Sequence, residues 1–255
     1  MAENKYNLVE LNDRLIKLLK LDTNAVAIKY ITEESQLEII PNKEYAKEGF
    51  ACMSIGFSAY FPKTVVLRGE DFLMHYCAAC NGCQKQDEEW YSGEALANPP
   101  LKWFSNPEAS KQHILTMKEG VPDDNIIAFV TSPLWKMDIT DPDVISIQCP
   151  PGAAFHFFAG LIETNYRKLE FPFIGESSCA DTWGWTYKTG KPGLSLGCRG
   201  DRGNGDLAPG EVRITVTLED LETAIKGMER LKADDVFYPY YPRTTMIQDY
   251  FPDKE

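Results

Sequence analysis

The stretch CAACNGC holds Cys77, Cys80 and Cys83 at steps of three residues. Two intervening residues let a turn aim successive thiolates at one point, which is why this spacing recurs at zinc and iron–sulfur sites. Gly82 removes a side chain where the backbone must bend, and Asn81 tolerates the left-handed conformation that such turns use. The stretch therefore predicts a loop that presents three thiolates to a metal centre.

Two other interpretations of this stretch remain open. Free cysteine is among the most buried residue types, so the three thiols could simply pack in a core. A redox pair of the thioredoxin type is the other interpretation, but that motif opens a helix after a strand and typically carries only two cysteines. Three cysteines beside a glycine and an asparagine favour ligands.

The other cysteines of the chain lie in two kinds of sequence. Cys52 and Cys149 stand in or next to apolar segments that are typical of a core. Cys179 in GESSCADTWGWTY and Cys198 in LSLGCRGDRGNGD stand among polar residues and glycines, where a thiolate can be approached. The fourth ligand of a [4Fe–4S] cluster can lie far away in sequence, so both are candidates.

The sequence therefore predicts a cytosolic iron–sulfur protein, most readily with a [4Fe–4S] cluster, in a redox or small-molecule-binding role. The predicted metal ligands are Cys77, Cys80, Cys83 and Cys198, with Cys179 and Cys52 as further cofactor-binding residues.

Zinc is the alternative cofactor, in a non-enzymatic binding or scaffold domain that the metal stabilises. A structural zinc site needs four ligands and typically has two Cys-x₂-Cys knuckles, and the chain has no second knuckle. Its seven cysteines outnumber its three histidines, His75, His113 and His156. Soft thiolate sets suit clusters at least as well as zinc. The sequence thus favours the cluster over zinc.

A thiol enzyme that uses Cys198 is the second alternative. Arg199 or Arg202 could lower the pKa of this thiol, although both are equally suited to surface ion pairs in so acidic a chain. His75 or His156 would have to serve as the base. No sequence feature places a base near Cys198, so this alternative ranks last.

Carboxylates and aromatic residues flank the glycine- and cysteine-rich segments. The carboxylates are Glu176, Asp181, Asp201 and Asp206. In a chain with 38 acidic residues such neighbours arise by chance, so we expect solvated surface positions. The segment DTWGWTY would shield a cluster or form a substrate wall, but core packing is the more frequent role of such residues.

The elements that must position these residues follow from hydrophobic periodicity. Predicted helices span residues 7–21, 106–118, 150–166 and 221–231, and predicted strands span 25–31, 64–69, 125–134, 143–149 and 211–218. Ser105 and Glu108 have the spacing of a capping box at the start of the second helix. Without a regular βα repeat, the pattern predicts a single α+β domain over residues 1–255, with a mixed sheet, flanking helices and long Cys/Gly-rich loops.

Charge and composition exclude several classes of partner. A net charge of −12 and a pI near 4.8 disfavour nucleic acid, because an acidic surface repels phosphate backbones. No run of eighteen apolar residues predicts a membrane span, and no signal peptide opens the chain, so we expect a cytoplasmic protein. A small-molecule substrate or a redox partner protein is expected instead. The aromatic tail, residues 236–255, predicts a homo-oligomer interface or a segment that folds back on its own domain.

The chain contains the blocks DPDVISIQCPPGAAFHFFAGLI, SSCAD and LSLGCRGDRG, with AVAIKY nearer its start. The first three resemble blocks of the domain of unknown function 169 family of anaerobic bacteria and archaea, AVAIKY matches more loosely, and the similar region covers about residues 7–235. The resemblance carries no established activity. It implies recurring cysteines at Cys52, Cys77, Cys179 and Cys198, to which this chain adds Cys80, Cys83 and Cys149.

Overall fold

Seven strands pair into one mixed sheet in a computed structural model that describes residues 6–85, 88–99 and 101–234. In chain order they are β1 (Val26–Ile31), β2 (Lys43–Tyr45), β3 (Thr64–Arg68), β4 (Ala128–Pro133), β5 (Val144–Cys149), β6 (Gly193–Ser195) and β7 (Val212–Val216). They lie side by side in the order β2-β3-β4-β1-β5-β7-β6. Among the described residues, neighbouring strands are antiparallel except β2 and β3, which are parallel.

Helices cover both faces of this sheet. Those of the described residues are α1 (Leu8–Leu19), α2 (Glu34–Glu38), α3 (Ala51–Tyr60), α4 (His75–Cys80), α5 (Glu88–Ser92), α6 (Glu94–Ala97), α7 (Pro107–Met117), α8 (Pro151–Ile162), α9 (Ser178–Asp181), α10 (Trp183–Thr189), α11 (Arg199–Asn204) and α12 (Leu218–Ala233). Strands and helices follow one another without a regular alternation, which confirms the predicted α+β class.

Helices α1, α8 and α12 pack on the first face of the sheet. Strand β7 shows how the period of two divides its side chains between the faces. Val212, Ile214 and Val216 belong to the aliphatic core of the first face. Arg213 and Thr215 bond to groups on the second face. In β7 the first face therefore receives the apolar side chains, and the polar ones point to the second face.

The second face carries two smaller cores. One joins the sheet to α3 and α10 through residues such as Ile28, Phe129 and Trp183. The other holds α4 to α7 and α9 together beside it. Cys77 and Cys179 pack against both cores, so they stand at the junction between them.

Two local predictions are wrong. The helix α7 does not begin with a capping box at Ser105, because the side chain of Asn106 accepts the hydrogen bond from the backbone N–H of Ala109 at 2.9 Å. Pro107 then occupies the first helical position, where its missing N–H has no cost. The stretch CAACNGC is not a loop throughout, since its first four residues end α4.

The bend after α4 uses one of the two residues expected to make it. Gly82 has a φ of +69°, and a Cβ there would overlap the carbonyl oxygen of Asp123. Asn81 has a φ of −106°, so the prediction of a left-handed asparagine is wrong. The predicted tail, residues 236–255, lies outside the described residues. Among the residues that are described, no helix has both the length and the apolar character needed to cross a membrane.

The close crossing of α8 and α12 provides a test of the first face. A Cβ on Gly227 would overlap the carbonyl oxygen of Gly160. We expect Gly227→Ala to lower the free energy of unfolding by about 1–3 kcal/mol through overpacking, although alanine is the better helix former. Urea denaturation followed by circular dichroism measures this. The control is Gly203→Ala in α11, where nothing lies within 4 Å of the added methyl group. Equal stability of the two variants would contradict the close crossing.

Candidate functional site

A cavity of about 260 Å³ lies on the second face, where its two cores meet. This volume is far larger than the roughly 10–15 Å³ that one water molecule requires. Much of the wall is apolar or aromatic, formed by side chains such as Phe50, Met74, Leu101, Trp103 and Trp183. The cavity therefore has the character of a small-molecule or cofactor site.

Four thiols line this cavity, and each belongs to the beginning of a different helix. Cys52 is the second residue of α3, and Cys77 is the third residue of α4. Cys179 is the second residue of α9, and Cys198 is the N-cap of α11. The first turn of a helix leaves backbone N–H groups without intrahelical partners, so these are positions where a sulfur can accept hydrogen bonds.

A buried ion pair holds α11 against the sheet. The guanidinium of Arg213 on β7 donates to the carboxylate of Asp201 at 2.7 and 3.0 Å, and both side chains are at most 1% exposed. Burial alone lowers the pKa of Arg213, but the charge and hydrogen bonds of Asp201 raise it above its usual value. The backbone N–H of Asp201 donates to the sulfur of Cys198 at 3.4 Å. The ion pair therefore fixes the position of this cysteine.

Cys52 connects α3 to α11. Its thiol donates to the carbonyl oxygen of Gly200 at 3.4 Å. The two helices also meet at Gly56, where a Cβ would stand 2.9 Å from the carbonyl oxygen of Gly205. Burial raises the pKa of Cys52 well above its usual value, and the nearby charge of Asp201 adds to this shift. The thiol is therefore neutral near pH 7 in the absence of a metal.

Cys179 differs from the other three thiols of the cavity because its pKa is lowered. The neighbouring Cys80 thiol, the Ser177 hydroxyl 3.5 Å from the sulfur and the Ala180 backbone N–H cause this shift. Burial and the neighbouring Cys179 raise the pKa of Cys80. Cys179 is therefore the more acidic thiol of this pair, so loss of a proton is favoured at the sulfur that lines the cavity.

Cys77 is positioned by a chain of two hydrogen bonds. The side-chain amide of Asn81 donates to the carbonyl oxygen of Cys77 at 2.8 Å. The indole N–H of Trp183 donates to the carbonyl oxygen of the Asn81 side chain, also at 2.8 Å. Burial raises the pKa of Cys77 far above its usual value, and the neighbouring Cys179 and Cys198 raise it further. Asn81 thus ties the end of α4 to the aromatic wall of the cavity.

A hydroxyl network supports the backbone of Cys198. Its backbone N–H donates to Ser178 Oγ at 2.7 Å, and Ser178 Oγ lies 3.2 Å from Ser195 Oγ. The hydroxyl of Ser195 donates to Asp181 at 3.3 Å, and the N–H of Ile174 donates to the same carboxylate at 2.9 Å. Burial raises the pKa of Asp181 to about 6 despite these bonds.

The remaining cysteines lie away from the cavity wall. Cys80 is fully buried behind Cys179, with its sulfur 3.8 Å from Ser177 Oγ. The thiol of Cys83 donates to the carbonyl oxygen of Asn81 at 3.6 Å, and burial raises its pKa to about 12. Cys149 lies in the aliphatic core of the first face. The structure thus brings Cys77 and Cys198 of the predicted set together, without Cys80 and Cys83.

Neither base proposed for a thiol enzyme is part of the cavity wall. His75 is exposed, and His156 is buried within α8. The third histidine, His113, contacts the cavity residue Tyr76, whose hydroxyl lies 3.1 Å from His113 Nε2. Within the described ranges, no three side chains of His, Cys, Asp or Glu are arranged to hold one metal ion.

Several expectations about charged residues are wrong. Burial and the neighbouring Cys179 raise the pKa of Cys198 above its usual value, which contradicts the expectation that Arg199 or Arg202 lowers it. Arg199 instead pairs with Glu176 at 3.1 Å, and Arg202 donates to backbone carbonyl oxygens such as that of Ala208 at 2.6 Å. The expectation of a solvated surface position is wrong for Asp181 and Asp201, which are buried.

Sequence reasoning missed the residues that support the thiols. Arg213, Ser177 and Trp103 were not singled out, and Asn81 was assigned only a backbone role. The one available signal is the arginine in the alternating strand EVRITVTL, because a charged residue in a strand buried on both faces needs a partner. The sequence does not identify that partner.

The fold and the site together define an α+β protein with a thiol-lined cavity on one face of its sheet. Residues 14–227 match the DUF169 family, described as uncharacterised ArCR, and the chain belongs to this family. The chain is also similar to the uncharacterized protein MJ0308 of Methanocaldococcus jannaschii, with 26% identity over 132 residues. That alignment covers 51% of this chain and 54% of the relative, so it spans about half of each. No solved structure matches.

Removal of Arg213 from its buried pair with Asp201 should lower the stability far more than removal of an arginine from a surface pair. Arg213→Met leaves a buried carboxylate without its partner, and we expect it to lower the free energy of unfolding by about 3–5 kcal/mol. Urea denaturation monitored by tryptophan fluorescence measures the loss. The control is Arg167→Met, which breaks a surface pair with Asp220 at 2.9 Å and should cost about 0–1 kcal/mol. A loss no larger than that of the control would disprove the anchoring role.

The buried carboxyl group of Asp181 predicts that the stability of the protein depends on pH. Because its pKa is raised to about 6 in the folded state, its contribution to stability is complete below the unfolded value and is lost as the pH rises through 6. We expect the wild type to lose about 1 kcal/mol between pH 5 and pH 7 relative to Asp181→Asn. Urea denaturation at both values tests this, with Asp13→Asn on an exposed position as the control. If the free energies of unfolding of the wild type and Asp181→Asn differ by the same amount at both pH values, Asp181 is not buried.

Proposed function

We propose that this chain binds an iron–sulfur cluster, most readily [4Fe–4S], with Cys52, Cys77, Cys179 and Cys198 as its ligands. The observation that carries the proposal is the convergence of these four thiols on one cavity from four separate helices. Cys77 and Cys198 belong to the metal ligands predicted from the sequence, and Cys52 and Cys179 take the places of Cys80 and Cys83.

The donor set suits a cluster in its chemistry. Thiolates are the usual ligands of [4Fe–4S] clusters, and no histidine lines this cavity among the described residues. The backbone N–H groups of Ala180 and Asp201 hydrogen-bond to two of the sulfurs. Such hydrogen bonds favour the thiolate form that a metal requires. Since burial keeps three of the four thiols neutral, loading of the site would release protons.

The arrangement favours a group that spans the cavity over a single zinc ion. Each Zn–S bond is about 2.3 Å long, so two sulfurs on one zinc lie at most about 4.6 Å apart. The described residues contain no three-ligand group of that kind. In a cluster each sulfur binds its own iron, so the four thiols need not meet at one point. Zinc in a binding or scaffold domain remains the alternative.

A bound cluster would supply electron transfer, or Lewis acidity if one iron lacks a protein ligand. The residues of this chain would enclose the site and provide its charged groups. Phe50, Trp103 and Trp183 would keep water from the site, and Arg199 and Glu176 supply the charged part of its lining. The partner would be a small molecule that enters the cavity or a redox protein that docks beside it. The seven free thiols suit a reducing cytoplasm.

A thiol enzyme based on Cys198 has less support. Its thiol has a raised pKa, and no described histidine lines the cavity to act as its base.

Iron and acid-labile sulfide per chain, with a visible spectrum, test the proposal on protein purified without oxygen. We expect serine at any of the four cavity cysteines to remove most of the iron, because each would bind one iron directly. Cys83→Ser and Cys149→Ser are the matched controls and should keep the wild-type ratio.

Cys80→Ala separates the two possible ligand sets. We expect this variant to retain iron, because Cys80 does not line the cavity. Loss of iron in Cys80→Ala and Cys83→Ser, with retention in Cys52→Ser, would restore the ligand set expected from sequence. A colourless wild-type protein with one zinc would overturn the cluster.

A further inference from the structure

Cys80 is a nucleophile that the proposed cluster does not use. Its side chain is fully buried in a core against which Cys179 also packs. The hydroxyl of Ser177 contacts both sulfurs, 3.8 Å from Cys80 Sγ and 3.5 Å from Cys179 Sγ. Two thiols from distant segments of the chain therefore lie beside one hydroxyl group.

The two sulfurs differ in their access to the cavity. Cys179 lines the cavity, whereas Cys80 lies behind it and is not part of the wall. A small reagent that enters the cavity therefore reaches Cys179 first. Cys80 is then the thiol placed to attack Cys179 from within the protein. An accessible attacking thiol with a second thiol behind it is the arrangement of a dithiol–disulfide pair.

We infer that Cys179 and Cys80 form a reversible, redox-active disulfide whose oxidising substrates are small disulfides able to enter the cavity. An S–S bond of about 2.05 Å forms when the two sulfurs turn towards each other from the hydroxyl group that both contact.

The reaction proceeds in two exchange steps. The Cys179 thiolate first attacks one sulfur of a small disulfide, RSSR, forms a mixed disulfide with one half and releases the other half as RS⁻. The Cys80 thiolate then attacks the Cys179 sulfur, closes the protein disulfide and releases the second RS⁻. The two protons of the cysteines end on the two released thiolates. The protein dithiol loses two electrons and RSSR gains them.

Bis(2-hydroxyethyl) disulfide tests the inference on the full-length chain after removal of metals and reduction. We expect the protein to lose two of its seven free thiols, with release of 2-mercaptoethanol. Alkylation and peptide mass spectrometry should find Cys80 linked to Cys179, and dithiothreitol should restore both thiols.

Two variants sharpen the test. Cys80→Ser should stop at the mixed disulfide on Cys179, because the second thiol is missing. Cys83→Ser is the matched control from the same stretch of chain and should still form the Cys80–Cys179 link. A Cys80 thiol that remains fully alkylatable in the treated wild type would overturn the inference.

A link between Cys52 and Cys198 in place of the expected one would also overturn it. That pair is a competitor, since the sulfurs of Cys52 and Cys198 lie 4.0 and 3.7 Å from the point where a Cβ on Gly200 would stand.

One consequence rests on the proposed function as well. If Cys179 binds the cluster, the cluster and the disulfide exclude each other, and the cluster-loaded protein should react more slowly than the metal-free protein. Equal rates in the two forms would remove Cys179 from the ligands and leave the dithiol pair intact. Absence of the link in the metal-free protein would disprove the pair and leave the cluster untouched.

Discussion

The ion pair between Arg213 and Asp201 is the interaction on which the cavity depends. A charged side chain in a strand that is buried on both faces must find a partner, and a carboxylate at 2.7 Å provides one. The carboxylate belongs to the short helix α11, so the sheet fixes that helix. Through it, the sheet positions the sulfur of Cys198 and the carbonyl oxygen of Gly200, to which Cys52 donates. One ionic contact therefore determines where two of the four cavity thiols lie.

The two faces of the sheet have different roles. The first face packs aliphatic side chains under α1, α8 and α12 and places no thiol near solvent. The second face consists of two small cores, and their junction leaves the cavity in which Cys77 and Cys179 meet the other cysteines. Cys179 is common to the cluster and to the dithiol pair that we propose, because it lines the cavity and also packs against the core that contains Cys80. The hydroxyl of Ser177 fixes the position of its sulfur for either role.

Local patterns predict much of the fold. The strands β1, β5 and β7 and the helix α1 agree with their predicted spans to within three residues at each end, because a period of two or 3.6 is written into a short window of sequence. Shorter elements contain too few residues to show such a period. The helix α4 has six residues and begins after a loop, so its cysteines looked like part of a turn. Asn106 and Ser105 are equally good caps by residue type, and only the observed hydrogen bond selects Asn106.

The sequence by itself determined the chemistry of the site: many thiols and few histidines mean soft donors, whatever their arrangement. Only the tertiary structure decided which thiols act together. Close spacing in sequence suggested Cys77, Cys80 and Cys83, but the orientation of α4 sends Cys77 to the cavity and Cys80 into the core behind it. Cavity walls are assembled from segments far apart in the chain, and their convergence depends on strand pairing and on one buried charge. No local pattern encodes either.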